Sequence, residues 1–162
     1  MQKLLGKIET AMREYFGSDQ RRIDHALRVT GFAEELLKSE KGDRLVVIAA
    51  ALLHDIGIRE AERKYGSSAG NLQEQEGPPV AREILTGLGL AEGVIDEVCA
   101  IIGSHHSLGE VDTDNFRIIW DADWLVNLGD EFDLRDSEKT LGMIAKIFQT
   151  VTGKGIAKRI YL

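Results

Sequence analysis

The sequence predicts an all-α protein, a single domain built as a bundle of about six to eight helices. Apolar residues recur at spacings of three and four along most of the chain, which is typical of helices with one buried face. Only two prolines occur among 162 residues, and they are adjacent. With 43% hydrophobic residues, the chain has enough apolar surface to form one core.

Three helices are predicted in the first third of the chain. The first covers residues 2–16 and the second covers 20–38, and each carries one apolar stripe. The third begins after Asp43, and its residues 45–53 are apolar on every side. A helix without a polar face is typical of a central position, surrounded by other helices.

The rest of the chain is predicted to contain a loop and further helices. Residues 59–77 are charged and rich in Gly and Ser, and this pattern indicates a functional loop with at most one short helix over 60–65. Pro79 suits the first turn of the next helix, which extends to about residue 88. Amphipathic patterns then predict helices over 91–104, 116–128 and 137–149.

All four histidines adjoin apolar helix faces: His25, His54, His105 and His106. His54 and Asp55 directly follow nine apolar residues, and an ionisable pair in such surroundings needs a partner. A simple helix end, with histidine at the dipole and aspartate as a cap, is the alternative. Convergence of the four histidines on one site is the simplest explanation of their positions.

Asp121 lies in the large apolar segment 118–124, on a helix predicted to face the core. A bare carboxylate there would destabilise the fold, whereas a divalent cation would compensate its charge. Asp123 is two residues further on, about 200° round the helix, and is expected to be solvated or to cap a helix end.

The order His25, His54-Asp55, Asp121, with the string His-Asp-Ile-Gly, resembles the HD superfamily of metal-dependent phosphohydrolases over about residues 21–128. The resemblance implies an HD-type helical fold in which these four residues bind a divalent metal, with helices 2–16 and 137–149 packed on the core. Mixed nitrogen and oxygen ligands favour Mn, Fe, Co, Ni or Mg. The implied reaction is hydrolysis of a phosphate ester or anhydride of a small phosphorylated metabolite, with a nucleotide as one candidate.

Some HD proteins bind two metals, using a further histidine where this chain has Gln73 and a His-His pair that His105 and His106 match. That pattern is therefore broken, and Glu76 is a candidate substitute ligand, against the alternative of a solvated loop residue. Asp55, His105 and His106 are the candidate catalytic residues, with one histidine protonating the leaving oxygen or orienting the phosphate. His105 is expected to be the inward member of the pair.

An anionic substrate needs local positive charge, because the chain has a formal net charge of −7. Arg63, Lys64 and Arg28 are the candidate substrate-binding residues, although ion pairs with neighbouring glutamates explain each of them equally well. No basic patch suits nucleic acid, and no apolar run approaches the roughly 20 residues that cross a bilayer. A single cysteine fits a reducing, cytoplasmic environment, and the oligomeric state is not predicted.

Two other functions remain open at this point. A di-iron oxygenase of similar fold is the first, and it would require Glu76 to complete a second metal site. The second is a degenerate HD module, which would bind a nucleotide or a partner without catalysis.

Overall fold

The computed structural model describes residues 1–162 and contains nine helices, which account for 74% of the chain, and no strands. The helices are α1 (Gln2–Phe16), α2 (Gln20–Leu37), α3 (Arg44–Leu53), α4 (Ile58–Tyr65), α5 (Gly70–Gly87), α6 (Glu92–Ile102), α7 (Asp114–Glu131), α8 (Ser137–Ile147) and α9 (Val151–Tyr161). The predicted all-α class is confirmed, with one helix more than the expected upper number.

α3 is the central helix of the bundle. Its side chains from Val46 to Leu53 are all buried, and α1, α2, α6 and α7 pack around it. The Asp43 side chain caps the helix by accepting a hydrogen bond from the backbone N–H of Val46 at 3.2 Å. The apolar run predicted this position, because a helix buried on every side cannot place polar residues anywhere along its length.

None of the nine helices combines the length and the apolar character needed to cross a membrane.

The segment predicted as a loop is largely helical: the short helix expected over 60–65 is present, but the prediction of a loop over 70–77 is wrong. α4 covers Ile58–Tyr65, and α5 begins at Gly70, so that Pro78 and Pro79 lie inside α5 rather than in its first turn. The two prolines remove two N–H donors, but the other peptide groups of α5 remain free to bond along the helix. The polar first half of α5 hid the helix, because its buried polar residues break the apolar periodicity. α9 was also not predicted.

Two glycines bring the turn after α3 directly onto the backbone of α5. A Cβ atom at Gly57 would lie 2.4 Å from the backbone nitrogen of Gly77 and 2.7 Å from the carbonyl oxygen of Gln73. A Cβ atom at Gly77 would lie 2.7 Å from a methyl group of Ile102. Only glycine permits backbones to approach this closely. The contact fixes the turn that carries His54 and Asp55.

Asp121 ties α7 to the beginning of α9. Its carboxylate is fully buried and accepts hydrogen bonds from the backbone N–H of Gln149 at 2.8 Å and from the N–H and hydroxyl of Thr150 at 2.9 and 2.6 Å. A Cβ atom at Gly153 would lie 2.2 Å from the same carboxylate. Burial raises the pKa of Asp121, although these hydrogen bonds oppose the shift. The charge is therefore balanced by peptide groups of a distant turn, and the prediction that a metal balances it is wrong.

Asp121→Ala should lower the free energy of unfolding by about 2–3 kcal/mol, because it leaves buried N–H and hydroxyl donors without an acceptor. Urea unfolding followed by circular dichroism measures the change. Asp24→Ala is the matched control, because Asp24 is exposed and accepts only from Gln20 on its own helix. Equal stability of the two variants would contradict the assigned role of Asp121.

Candidate metal centre

Two histidines from different helices meet at the centre of the site. His25 lies on α2, and His54 is the first residue after α3. Their Nε2 atoms are 3.2 Å apart, although the residues are separated by 29 positions in sequence. The convergence predicted for this pair is confirmed.

Two carboxylates complete the cluster, and they come from Asp55 and Asp123. Asp55 Oδ2 lies 3.3 Å from the Nε2 atom of His25 and 3.4 Å from that of His54. Asp123 Oδ1 lies 3.1 and 3.3 Å from the same two nitrogens. Asp123 therefore occupies the position predicted for Asp121, and the expectation that Asp123 is solvated is wrong. The two residues lie on opposite faces of α7, and sequence analysis chose the wrong face.

Backbone carbonyl groups set the proton positions on two of the histidine rings. The Nδ1 atom of His54 lies 2.8 Å from the carbonyl oxygen of Ala51, and that of His105 lies 2.6 Å from the carbonyl oxygen of Ile102. A carbonyl oxygen can only accept, so both Nδ1 atoms donate a proton. In the neutral ring the Nε2 atom then presents a lone pair to the cluster, which is the form that binds metals.

The charges of the cluster depend strongly on one another. Burial lowers the pKa of His54, but the carboxylates of Asp55 and Asp123 outweigh this effect and raise it well above its ordinary value. Burial raises the pKa of Asp55, but His54 and His105 outweigh it and hold that pKa well below the usual range. The pKa of Asp123 is also lowered, because His54 and His25 outweigh the cost of burial. Positive charge at the centre therefore stabilises both carboxylates.

The donor set fits a divalent cation. His25, His54 and Asp55 form a group that can hold a metal ion, and Asp123 Oδ1 lies within 3.3 Å of both imidazole nitrogens. Metal–ligand bonds of about 2.0–2.2 Å place neighbouring ligands about 3.0–3.5 Å apart in tetrahedral or octahedral geometry. The measured separations of 3.1–3.4 Å lie in that interval. Nitrogen and oxygen ligands together suit Mn, Fe, Co, Ni or Mg.

A second group of ligand atoms shares Asp55 with the first. Asp55, His105 and His106 present ligand atoms within 4.8 Å of one another, with Asp55 Oδ1 3.4 Å from the Nε2 atom of His105. That nitrogen is buried and has no hydrogen-bond partner, which leaves it available to a bound ion or ligand. His105 is 3% exposed whereas His106 is exposed, so the prediction that His105 is the inward residue is confirmed.

The side chain of Gln73 lies beside His106. Its side-chain nitrogen donates to the carbonyl oxygen of Ser68 at 2.7 Å, so its Oε1 atom faces His106 Nε2 at 2.9 Å and accepts from it. This hydrogen bond leaves only Nδ1 of His106 free to bind a metal. Burial and the charge of His105 lower the pKa of His106.

The structure does not bring Glu76 to the site. Glu76 is buried and forms an ion pair with Lys64, and both residues line a different cavity on the far side of α4 and α5. Neither interpretation of Glu76 is correct, because this residue is neither a ligand at the cluster nor solvated in a loop. The polar character of the segment gave no indication of which face of α5 this residue occupies.

The three candidate substrate-binding cations are engaged elsewhere. Arg63 pairs with Glu60 at 2.7 Å, Lys64 pairs with Glu76, and Arg28 pairs with Asp130 at 2.8 Å. None of the three lines the cavity next to the cluster. The alternative interpretation, that these residues form ion pairs, is correct, although only Arg63 pairs with a neighbouring glutamate.

A cavity of about 190 Å³ opens beside the cluster, with His25, Asp55 and Asp123 in its wall. Sequence analysis missed several other residues in this wall: Arg21, Arg22, Ile58, Asn127, Asp130 and Glu131. A signal was present, because Asp123, Asn127 and Glu131 repeat at intervals of four and form a polar stripe on α7. Asp121 has no such continuation, since Leu125 follows it at the same interval.

Comparison with known proteins decides the family. The model of the HD domain matches residues 22–128, which is more than half of the chain. The chain belongs to the HD domain family. Proteins of this family are generally metal-dependent hydrolases, and the matched segment contains all the residues of both ligand groups.

A solved structure is similar to this HD domain protein over nearly its whole length. It is a predicted HD superfamily hydrolase from an uncultured Thermotogales bacterium, with 28% sequence identity and a TM-score of 0.68. The alignment covers 99% of this chain and 84% of the other. A comparison with curated protein sequences gave no significant match.

Asp123→Asn should weaken Mn²⁺ binding by at least about tenfold, because the substitution removes one of two charged ligands. Asp114→Asn is the matched control, since it makes the same chemical change at an exposed position of α7. Isothermal titration of the folded variants with Mn²⁺ measures both affinities. An effect at Asp114 as large as that at Asp123 would contradict the ligand assignment.

Metal binding should release protons at neutral pH. The carboxylates of Asp55 and Asp123 raise the pKa of His54, which favours the protonated ring in the metal-free protein, whereas the metal needs the neutral ring. Mn²⁺ affinity should therefore rise with pH until it passes the folded-state pKa of His54. Calorimetric titration in two buffers of different ionisation enthalpy measures the released protons, and identical heats in both buffers would exclude this coupling.

Proposed function

We propose that this HD domain protein is a metal-dependent phosphohydrolase that cleaves a phosphate ester or anhydride of a small phosphorylated metabolite. The observation that carries the proposal is the cluster of two imidazoles and two carboxylates, which adjoins a polar cavity rather than being closed by protein on all sides. Structural metal sites are closed by protein ligands, whereas catalytic sites keep positions for water and substrate.

His25, His54, Asp55 and Asp123 would hold the metal. A divalent cation at this position supplies a Lewis acid that lowers the pKa of water and polarises a phosphoryl oxygen. The protein contributes fixed ligand positions, because Ala51 orients His54 and the contact between Gly57 and α5 holds the turn. Such preorganisation removes the cost of arranging the groups during the reaction.

Asp55 is the best candidate for the residue that handles the proton of the attacking water. Its Oδ2 atom faces His25 and His54, while its Oδ1 atom faces His105. One oxygen can thus bind at the metal centre while the other accepts a proton from a water molecule in the cavity. The lowered pKa of Asp55 keeps its carboxylate ionised, which is the form that binds a cation.

His106 is the member of the histidine pair that a substrate would contact, because it lines the cavity and His105 does not. The two rings are tilted by 46° to each other, with centroids 3.9 Å apart. We assign His106 to orienting the substrate through its free Nδ1 atom, because its Nε2 atom donates to Gln73, and His105 to positioning the carboxylate of Asp55. The two histidines are therefore not equivalent, because His106 lines the cavity and His105 is buried.

The di-iron alternative receives less support from this geometry. It required Glu76 as a ligand of the second ion, and that carboxylate is paired with Lys64 away from the cluster. A degenerate binding module is also disfavoured, because all of the ligand atoms needed for one metal are assembled and no cation of the protein occupies their place.

Asp55→Asn should reduce phosphate release by at least about a thousandfold, because it removes both a charged ligand and the proposed proton acceptor. The assay is release of inorganic phosphate from a panel of phosphorylated metabolites with Mn²⁺, Co²⁺, Ni²⁺, Fe²⁺ or Mg²⁺. Circular dichroism should show unchanged helical content, since the isosteric side chain preserves the packing.

Arg63→Ala is the control for this assay, because Arg63 is exposed and pairs only with Glu60 outside the cavity. It should retain full activity. Wild-type protein that consumes dioxygen with iron and releases no phosphate from any compound would replace the proposed function with the oxygenase alternative.

A further inference from the structure

The cavity beside the metal centre is small and almost entirely polar. Its volume is about 190 Å³, and Ile58 is the one hydrophobic residue among the eleven that line it. Sites for drug-sized ligands usually occupy about 300–1,000 Å³ and are lined mainly by apolar and aromatic side chains. The wall contains no Phe, Tyr or Trp. The expected occupant is therefore a small molecule whose surface is mostly polar.

Two residues extend the ligand-bearing faces of α2 and α7 towards the opening of the cavity. Arg21 precedes His25 by four residues, and Asn127 follows Asp123 by four. Residues four apart share one face of a helix, so both side chains lie next to the proposed metal ligands. The two helices thus present a guanidinium group and a carboxamide group from opposite sides.

Most of the other charges at the opening are neutralised within the protein. Arg22 lies 3.9 Å from Asp19 and 3.5 Å from Glu62, while Asp130 is bound through both oxygens by Arg28 at 2.8 and 3.3 Å. Arg21, Asn127 and Glu131 form no such ion pairs or side-chain hydrogen bonds, and all three line the cavity. They are therefore the polar groups that remain free to bind a substrate.

These three groups differ in the chemistry they recognise. The planar guanidinium of Arg21 matches two oxygens of a phosphoryl group. The amide of Asn127 both donates and accepts, and the carboxylate of Glu131 accepts, so the pair suits hydroxyl groups. The carboxylate of Glu131, which has no cationic partner, would repel a chain of additional phosphates, and this favours a monophosphate.

We propose that Arg21 binds the phosphoryl group and that Asn127 and Glu131 bind hydroxyl groups, so that the substrate is a small polyol monophosphate, such as a sugar phosphate, rather than a nucleotide. The inference rests on the proposed function and narrows its substrate class. A nucleobase gains affinity by stacking on aromatic or apolar surface, and apart from the imidazole rings of His25 and His106 the cavity offers only Ile58 for this.

Calorimetric titration of the Mn²⁺-loaded protein with ribose 5-phosphate, ribose and adenosine 5′-monophosphate tests the proposal. Ribose 5-phosphate should bind at least about tenfold more tightly than either of the other two compounds. Ribose lacks the phosphate, and adenosine 5′-monophosphate carries an adenine base for which the small polar cavity has no space. Equal or tighter binding of the nucleotide would overturn the polyol assignment.

Arg21→Ala should weaken ribose 5-phosphate binding by about tenfold or more and leave ribose binding unchanged. Asn127→Ala should weaken both compounds, because both carry the hydroxyl groups. Arg63→Ala is the matched arginine control and should bind all three compounds as the wild type does. An unchanged affinity in Arg21→Ala would overturn the role of Arg21.

Phosphate release measured on the same samples separates this inference from the proposed function. Selective binding of ribose 5-phosphate without hydrolysis of any panel compound would refute the phosphohydrolase and leave the polyol phosphate site intact. Hydrolysis with a higher kcat/KM for adenosine 5′-monophosphate than for ribose 5-phosphate would support the phosphohydrolase and refute the polyol assignment.

Discussion

Mutual compensation among two imidazoles and two carboxylates is the interaction on which the organisation of this protein depends. His54, Asp55 and Asp123 are buried in the bundle and His25 is partly buried, and an unpaired charge in such surroundings would cost several kcal/mol. Each nitrogen lies 3.1–3.4 Å from a carboxylate oxygen, so each acid faces an imidazole rather than an apolar side chain. A bound divalent cation would add a permanent positive charge between the two carboxylates.

The surrounding helices supply the rigidity that this arrangement needs. α3 is apolar along its full length and is held from every side, so its end projects His54 and Asp55 from a fixed position. The carbonyl groups of Ala51 and Ile102 orient the rings of His54 and His105, and the glycine contact with α5 prevents the turn from shifting. Backbone groups thus determine side-chain orientation, which is how a site is preorganised for chemistry.

Sequence reasoning succeeded where chemistry and periodicity agreed. The central position of α3 followed from its uninterrupted apolar run, and the convergence of His25 with His54 followed from polar residues in apolar surroundings. It failed at Asp121, because burial of a carboxylate indicates a partner without indicating which one. The actual partners include the peptide N–H groups of Gln149 and Thr150. Peptide N–H groups occur in every sequence, so no sequence pattern indicates which of them binds a buried carboxylate.

The α5 region shows a second limit of sequence reasoning. Gln73 and Glu76 are both buried, one near His106 and the other against Lys64, so a polar segment turned out to be an interior helix. Hydrophobic periodicity cannot detect a helix whose inward face is polar. The ion pairs of Arg28 with Asp130 and of Lys64 with Glu76 likewise join different helices, and residue type alone does not indicate such pairs.

Two aspartates of α7 form contacts with different parts of the chain, and only one of those parts lies within the segment that matches the HD domain. Asp123 belongs to the metal centre, whereas Asp121 is satisfied by residues 149 and 150, which lie beyond the segment 22–128 that matches the HD domain. A fragment cut at the limits of that segment would keep every proposed metal ligand. It would lose Gln149 and Thr150, which donate hydrogen bonds to Asp121. The buried charge of Asp121 would then favour rotation or fraying of α7, and the ligand on its other face would move with it. In this protein the boundaries of the family motif and those of the smallest independently functional unit do not coincide.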